Sequence, residues 1–423
     1  MPSAAGPARR CGRRGGHGSG PGGAPGPGSS SHWRRNLAAL WFAEFTAIFG
    51  FSFAFPFLPV YLGQLGVHDP ARLALWSGLA GGASGLTMAV MSPIWGWLAD
   101  RRGRKPMLVR AMIGGAVAVG LIGFARSPTE VVGLRLLQGA TSGTIAAATA
   151  LAAAGTPRAR VAWALGLLTS AVALGNALGP SLGGLAASLF GLRPIFWAGG
   201  ALLLAATLPV VVVVREAPTA RPEDAGPIHA GPSPTASHVV TAVAALIVAQ
   251  GLLQIANSGY QPLVTLRLLE QLPSRVELIT GVTFAIAGLA SAVASALCSR
   301  FTGRFGYRRT ALIGAVLLAG AELLGARGPG PGAVVAGATV AGAFYGGVAP
   351  TLSSMIGLEA PSRVQARVFG IAASATSIGF ALGPLGGGLL ASRLGVPTAM
   401  SLCASAALLL SLVLALGARE PSR

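Results

Sequence analysis

Charge is scarce in this chain. Only 10% of its 423 residues are charged, against 52% hydrophobic, and apolar runs of about twenty residues recur, which no soluble core of this size requires. Strict apolar–polar alternation is missing too, which excludes a membrane β-barrel; apolar runs without alternation satisfy their backbone only as helices. The three cysteines, Cys11, Cys298 and Cys403, stand far apart and define neither a disulfide framework nor a metal cluster. The five histidines, His17, His32, His68, His229 and His238, lie in tails or loops or at a span edge, so a buried metal centre has no ligands. No G-x-x-x-x-G-K-S/T loop occurs, which argues against direct ATP drive.

What remains is an all-α polytopic membrane protein. Twelve transmembrane helices are expected, at 37–62, 74–99, 107–125, 129–152, 161–188, 194–214, 238–266, 278–299, 308–325, 332–355, 367–391 and 396–417. Net charge is +19, yet the 31 Lys and Arg residues are sorted by loop. Counted with the span edges, 23 fall in the N-tail, alternate loops and the C-tail, seven fall in the other loops, and Arg135 lies within a span. The positive-inside rule then puts both termini in the cytoplasm, so the charge is a topology signal. No aromatic-rich basic module accompanies it, and a nucleic-acid partner is not expected.

Residues 1–32 are rich in Gly, Pro, Ser and Arg and read as a disordered cytoplasmic tail. Arg9 and Arg10 precede no apolar run before Leu37, so they make no export signal. Residues 216–237 form the longest polar, Pro-rich interruption, a central cytoplasmic linker between an N-terminal half at 33–215 and a C-terminal half at 238–417; 418–423 are a second tail. Across the linker GNALGPSLGG at 175–184 returns as GFALGPLGGG at 379–388, offset by 204, and GWLADRRGRK at 96–105 returns more weakly as SRFTGRFGYR at 299–308. Two pseudo-symmetric six-helix bundles with a site at their interface form a transporter architecture.

These segments resemble the major facilitator superfamily. Gly96, Leu98, Asp100, Arg101, Gly103, Arg104 and Lys105 fit its loop 2–3 signature, G-x-L-x-D-R-x-G-R-K/R. Arg135, Gln138, Gly139 and Gly143 fit the span-four pattern R-x-x-Q-G, and Gly175, Gly179, Pro180, Gly183 and Gly184 fit the span-five antiporter signature. The set is similar to the twelve-span drug–proton antiporter branch, and WRRNL at 33–37, PFLPVYLGQLGV at 56–67 and SPIWGWLADRRGRKPMLVR at 92–110 resemble the MdtG-type multidrug efflux family. The resemblance implies that Asp100 latches onto the start of span eleven, near Arg367, and holds the cytoplasmic side closed. At a helix C-terminus an anion needs a cationic or helix N-terminal partner, and Arg101 and Arg104 are nearby candidates. Gly103 permits a tight turn, and Gly96 close helix approach.

Three ionisable residues sit clearly inside spans: Glu44, Arg135 and Glu322. Each costs at least about 2.5 kcal/mol near the bilayer centre, so each should face protein or water. Glu44 lies about two turns inside span one with Ile48, Phe51 and Phe55 following on its face; it is either a proton-coupling acid or a solvated carboxylate at the cytoplasmic mouth. Arg135 differs from it in depth by roughly 9 Å; the resemblance implies a proton-transfer role, the alternative being a structural bond to backbone carbonyls. Glu322, near the outer end of span nine, is expected to snorkel or to pair with Arg327. Gln250, Gln254, Asn257 and Gln261 form a polar stripe on span seven that should line a water-filled cavity, with Tyr345, Phe51 and Phe55 as further substrate contacts; interhelical bonding is the alternative. The repeated glycine–proline segments, with Gly383 and Pro384 answering Gly179 and Pro180, read as a paired outer hinge or seal.

The expected function is proton-coupled antiport of amphiphilic organic compounds by alternating access, in a functional monomer of the plasma membrane with no cofactor besides the coupling proton. A specific metabolite exporter or importer is the alternative, and a non-transporting sensor or scaffold a further one.

Overall fold

The computed structural model of the chain describes residues 29–216, 236–361, 364–418 and 420. The N-terminal tail to residue 28 and linker residues 217–235 lie outside them. Among the described residues, eleven helices are long and apolar enough to cross a bilayer. The N-terminal half comprises α1 (Ser29–Ala54), α2 (Leu58–Gln64), α3 (Pro70–Arg102), α4 (Arg104–Ile122), α5 (Pro128–Thr141), α6 (Thr144–Gly155), α7 (Val161–Phe190) and α8 (Leu192–Val213). The C-terminal half comprises α9 (Ala236–Gln271), α10 (Val276–Phe305), α11 (Tyr307–Arg327), α12 (Gly330–Glu359), α13 (Gln365–Leu394) and α14 (Val396–Gly417).

The first helix begins at Ser29, earlier than the expected tail boundary. Two expected spans are discontinuous. Around Pro56 and Pro59, span one tightens into a 3-10 turn at Phe55–Phe57 before continuing as α2, because proline cannot donate to the helix ladder. Span four is cut into α5 and α6 at Ser142–Gly143, where Gly143 takes φ 120°. That backbone suits glycine alone among the residue types, and Ser–Gly is a poor helix-forming pair. The twelfth crossing is therefore built from two short helices, neither long enough to span by itself.

Local chemistry sets the other ends. Asp69 caps α3 by accepting from Arg72 N at 2.7 Å, with Pro70 in the first helical position. Ser127 caps α5 by accepting from Glu130 N at 3.3 Å, and Glu130 returns the favour to Arg126 N at 2.9 Å. One-residue turns at Gly103 and Gly306, with φ 96° and 86°, link equivalent helices in the two halves.

Packing repeats across the halves. The pairs α1–α7, α1–α8, α4–α8 and α3–α5 recur as α9–α13, α9–α14, α11–α14 and α10–α12. The halves themselves meet along α3–α13 and α7–α10. Those contacts run from the side opposite the termini to about mid-depth. A methyl group on Gly78 would lie 2.6 Å from the Pro384 carbonyl oxygen, and one on Gly85 2.7 Å from Ala381 N. On the other pair, a methyl on Gly281 would lie 2.7 Å from Pro180 O, and one on Gly288 2.8 Å from Ala177 Cα. Thr265 Oγ1 also donates to Pro56 O across the halves at 3.0 Å. Toward the terminal side α3 turns exposed at Leu86, Val90, Ile94 and Trp97, and α13 at Phe369, Ile371 and Ile378. The molecule is closed on the far side and parted on the side of its termini.

Candidate functional site

Arg135 sits on α5 and is 2% exposed. Its Nε donates to Ala80 O at 2.9 Å, Nη2 to Ser84 Oγ at 2.8 Å, and Nη1 to Gln138 Oε1. Phe55 and Phe51 cover the guanidinium, with ring centroids 4.8 and 5.3 Å from its carbon, contacts worth about 0.5–2 kcal/mol each. Phe51 and Phe55 stack at 5.2 Å, and Phe55 stacks on Phe380 of the other half at 6.3 Å. The two phenylalanines thus cover Arg135 rather than walling Glu44. The arginine bridges α5 to α3 through carbonyl and hydroxyl oxygens.

Glu44 is buried on α1, and neither carboxylate oxygen has a hydrogen-bond partner among the described residues. It is not a solvated carboxylate at the mouth. The side chain of Thr144, the first residue of α6, is its polar neighbour. No ion pair joins it to Arg135; among the described residues, the ion pair is Arg267–Glu270. The break in span four therefore serves two ends. It frees α5 carbonyls, which are taken by Trp95 Nε1 on Ala140 O at 2.7 Å and by Arg110 Nη2 on Ser142 O at 3.0 Å. It also starts a new helix beside Glu44, and a helix N-terminus favours a negative charge. Arg110 lies over the Trp95 ring at 3.6 Å; sequence reasoning missed its role, though an arginine one turn inside span three was the available signal.

The span-seven stripe lies where the two halves face each other. Gln254 is buried and accepts from Tyr345 Oη at 3.1 Å, while Gln250 Oε1 is buried with no partner among the described residues. Asn257 is half-buried, and Gln261 joins Phe55, Pro59, Ser77, Pro262 and Phe284 around a small void between the halves. The Gln254–Tyr345 bond is interhelical, as the structural alternative anticipated, and the void at Gln261 lies between the halves.

The glycine–proline segments pack closely. Helices α7 and α13 run unbroken through Pro180 and Pro384. Gly175, Gly179 and Gly183 face the α1 backbone between Phe45 and Phe53, and Gly383 faces Ile255 and Gly259 of α9. Gly184 meets Gly281 and Gly388 meets Gly78, one contact in each seam between the halves. In this conformation the segments make close helix contacts both within each half and between the halves.

The loop 2–3 signature makes its described hydrogen bonds within its own half. Asp100 is exposed and has no ion-pair partner among the described residues; the side chain of Arg367 lies outside those described. Arg101 stacks on Trp97 at 4.0 Å. Gly96 has open space beside it, so it permits no close helix contact in this conformation. The partner of this loop is Glu216, just beyond α8. Its carboxylate accepts from Arg104 N and, at 3.2 Å, from Lys105 N, capping α4. Arg104 Nη1 donates to Ala150 O at 2.9 Å and Lys105 Nζ to Val211 O at 2.8 Å. Glu420 repeats the cap in the other half, accepting from Tyr307 N at 2.6 Å and Arg308 N at 2.9 Å, with Arg308 Nη2 donating to Ala415 O at 2.7 Å. The residues assigned to a linker and a tail are thus structural partners. The signal was present: each glutamate follows an arginine, at the same offset of 204 as the glycine repeat.

Removing such a cap costs about 0.5–2 kcal/mol. Glu216→Ala and Glu420→Ala are each expected to lower the thermal midpoint in detergent by similar amounts and to add in the double variant, because the sites are far apart. Unchanged midpoints would mean that the caps contribute nothing.

Glu322 corrects an expectation. It is 1% exposed, while Arg327, its anticipated partner, is exposed and donates through Nε to Ser401 Oγ at 3.0 Å.

Comparison with known proteins agrees with this architecture. The sequence pattern of the Major Facilitator Superfamily matches residues 40–272 and 246–423. The chain is 33% identical over 377 residues to a "Multi-drug resistance efflux pump PmrA homolog" of Lactococcus lactis, covering 87% of this chain and 91% of that protein. It is 32% identical over 371 residues to "Multidrug resistance protein MdtG" of Citrobacter koseri, covering 86% and 90%. Among solved structures, a bacterial homolog of the human lysosomal transporter Spinster, inward-facing and occupied, superposes with a TM-score of 0.73 at 15% identity, covering 90% of this chain and 96% of that one. Repeat, fold and sequence relationship converge, and the chain belongs to the major facilitator superfamily.

Proposed function

We propose that this protein is a secondary active transporter that expels amphiphilic organic compounds in exchange for protons moving inward. One observation carries the reading: Glu44 is a buried acid with no cation paired to it and no geometric hydrogen bond among the described residues, beside the Thr144 side chain at the break of span four. A carboxyl in that position can exist neutral in the apolar wall or charged against the α6 N-terminus, and only a small change in surroundings separates the two. A protonated acid that gives up its proton to the cytoplasm leaves an anion able to receive a lipophilic cation. The names of the two relatives, a multi-drug resistance efflux pump homolog and a multidrug resistance protein, support drug-like substrates.

The Lys and Arg bias assigns the terminal side to the cytoplasm. On that assignment the conformation described above faces inward, ready to take substrate from the cytoplasm or inner leaflet. The exit step requires the α3–α13 and α7–α10 seams to part. A potential of 100 mV contributes about 2.3 kcal/mol per charge moved. The protein acts as a monomer in the plasma membrane, with a proton as its coupling ion; Arg135 positions the α5 segment beside the acid.

Inside-out vesicles test this directly. Energised vesicles should accumulate a fluorescent lipophilic cation, and a protonophore should abolish the accumulation. Accumulation only in right-side-out vesicles would mark an importer, movement of one metabolite without any amphiphile a specific exporter, and no flux at all a sensor or scaffold.

A further inference from the structure

Outside the central site, one buried acid remains without a role. Glu322 on α11 is 1% exposed, and its Oε2 has no hydrogen-bond partner among the described residues. Tyr260 on α9 is 4% exposed, and its Oη likewise has none among them. The two belong together: Tyr260 Oη rests against Gly325, three residues along α11 from Glu322 and hence on the same helix face. Around them are Leu263, Ala326, Val334, Ala338 and Met400, an apolar cluster in the closed far-side half of the molecule.

Every packed neighbour bears on the charge of this acid. Helix α9 presents Tyr260 and α14 presents Cys403, both within electrostatic reach. Helix α12 meets α11 here through Gly337, which abuts Ala321 and Gly325, and its titratable residues, Tyr345 and Glu359, lie two or more turns away. Glu277, at the outer end of α10, meets Gly184 of α7 through its backbone carbonyl. On α11 itself Arg327 is turned outward to Ser401. No cation among the described residues neutralises Glu322, so a charged carboxylate here would be buried and unpaired, a state that proteins avoid by keeping the group protonated.

We propose that Glu322 and Tyr260 form a second proton-binding site, on the external side of the C-terminal half, whose occupancy holds the external gate closed. The inference rests on the assignment of the termini to the cytoplasm. Helix α9 is the mechanical link: five residues beyond Tyr260, Thr265 makes the hydrogen bond to Pro56 that joins the halves across the gate. With the gate closed, the carboxyl lies out of water beside the phenol with no cation among the described residues, and the neutral form is favoured. With the gate open and water admitted, the carboxyl can ionise. The closed state therefore binds the proton more tightly than the open state, and raising pH favours opening by up to about tenfold in the open-to-closed ratio per pH unit. A proton arriving from outside closes the external gate and returns the carrier to its inward-facing state, the direction that antiport requires. Because the site is sealed from the cytoplasmic opening, this proton regulates the gate without being the one transported.

Spin labels at His68→Cys and Ser274→Cys, exposed positions on the far-side loops of opposite halves, report the gate in nanodiscs; Cys11 is replaced by serine, and Cys298 and Cys403 are buried. In the otherwise unaltered chain the long-distance population should rise with pH. Glu322→Gln, neutral at every pH and of similar size, should keep the short distance throughout. Tyr260→Phe should retain the response with a displaced midpoint, and it decides the matter if the glutamine variant does not fold. Wild-type curves from both variants would overturn the proposal, as would no pH response in the parent. If the response is lost in Glu44→Gln but kept in Glu322→Gln, the gating site is wrong while the central coupling site stands.

Discussion

Glu44→Gln should abolish the contribution of a pH gradient to drug accumulation while leaving downhill exchange intact. Each pH unit supplies about 1.4 kcal/mol per proton exchanged, a tenfold accumulation ratio. Glutamine preserves the shape of the buried acid but cannot release a proton, so that tenfold dependence should fall to none in the variant. Counterflow of an uncharged amphiphile, which needs the conformational cycle but not the anion, should continue because no packing contact is lost. The comparison separates coupling from folding: both measurements are made in the same proteoliposomes. A variant that still accumulates tenfold more drug per pH unit would remove Glu44 from the coupling role and direct attention to another titratable group.

The second large effect concerns the seams. A methyl group on Gly184 would lie 2.6 Å from Glu277 O and 2.9 Å from Gly281 Cα, all of it backbone of the opposite half. Gly184→Leu should therefore penalise only the externally closed state. Overpacking of this kind costs about 1–3 kcal/mol, which shifts a two-state equilibrium by roughly 5- to 150-fold. The expected result is a protein that inserts and purifies normally, shows long external distances, and does not complete the transport cycle. Gly179→Leu provides the contrast. Its added carbons would meet Ser52 Cβ at 2.7 Å and Phe49 O at 3.1 Å, inside one half, so both conformations suffer alike. It should lower the thermal midpoint without opening the external side. A closed gate in Gly184→Leu would mean that the glycine seam does not control access.

The twelve crossings, the two halves and the family signatures were legible because each leaves a mark in the linear order of residues. A run of about twenty apolar residues has one stable form in lipid, whatever surrounds it. The repeat was legible for the same reason, as identical spacing at an offset of 204. Of the candidate site, the polar stripe of α9 and the internal charges Glu44 and Arg135 stood out because polar groups are rare in such runs. Their partners did not. Depth alone names no partner for Arg135, whose hydrogen bonds go to α3 and to Gln138. The Ser142–Gly143 break was hidden inside an apolar stretch long enough to be one helix.

The sequence by itself determined how often the chain crosses the membrane, which side carries the positive loops, and that the halves share one pattern. Only the tertiary structure decided which faces of those helices touch, and so which polar atoms are covered. In a soluble helix the buried face is the apolar one and can be read from periodicity. In a bilayer the lipid-facing and protein-facing sides are both apolar, so periodicity does not separate them. That is why Glu322, expected at the lipid interface, lies sealed among helices, and why the acids at 216 and 420, placed by sequence in a linker and a tail, cap α4 and α11.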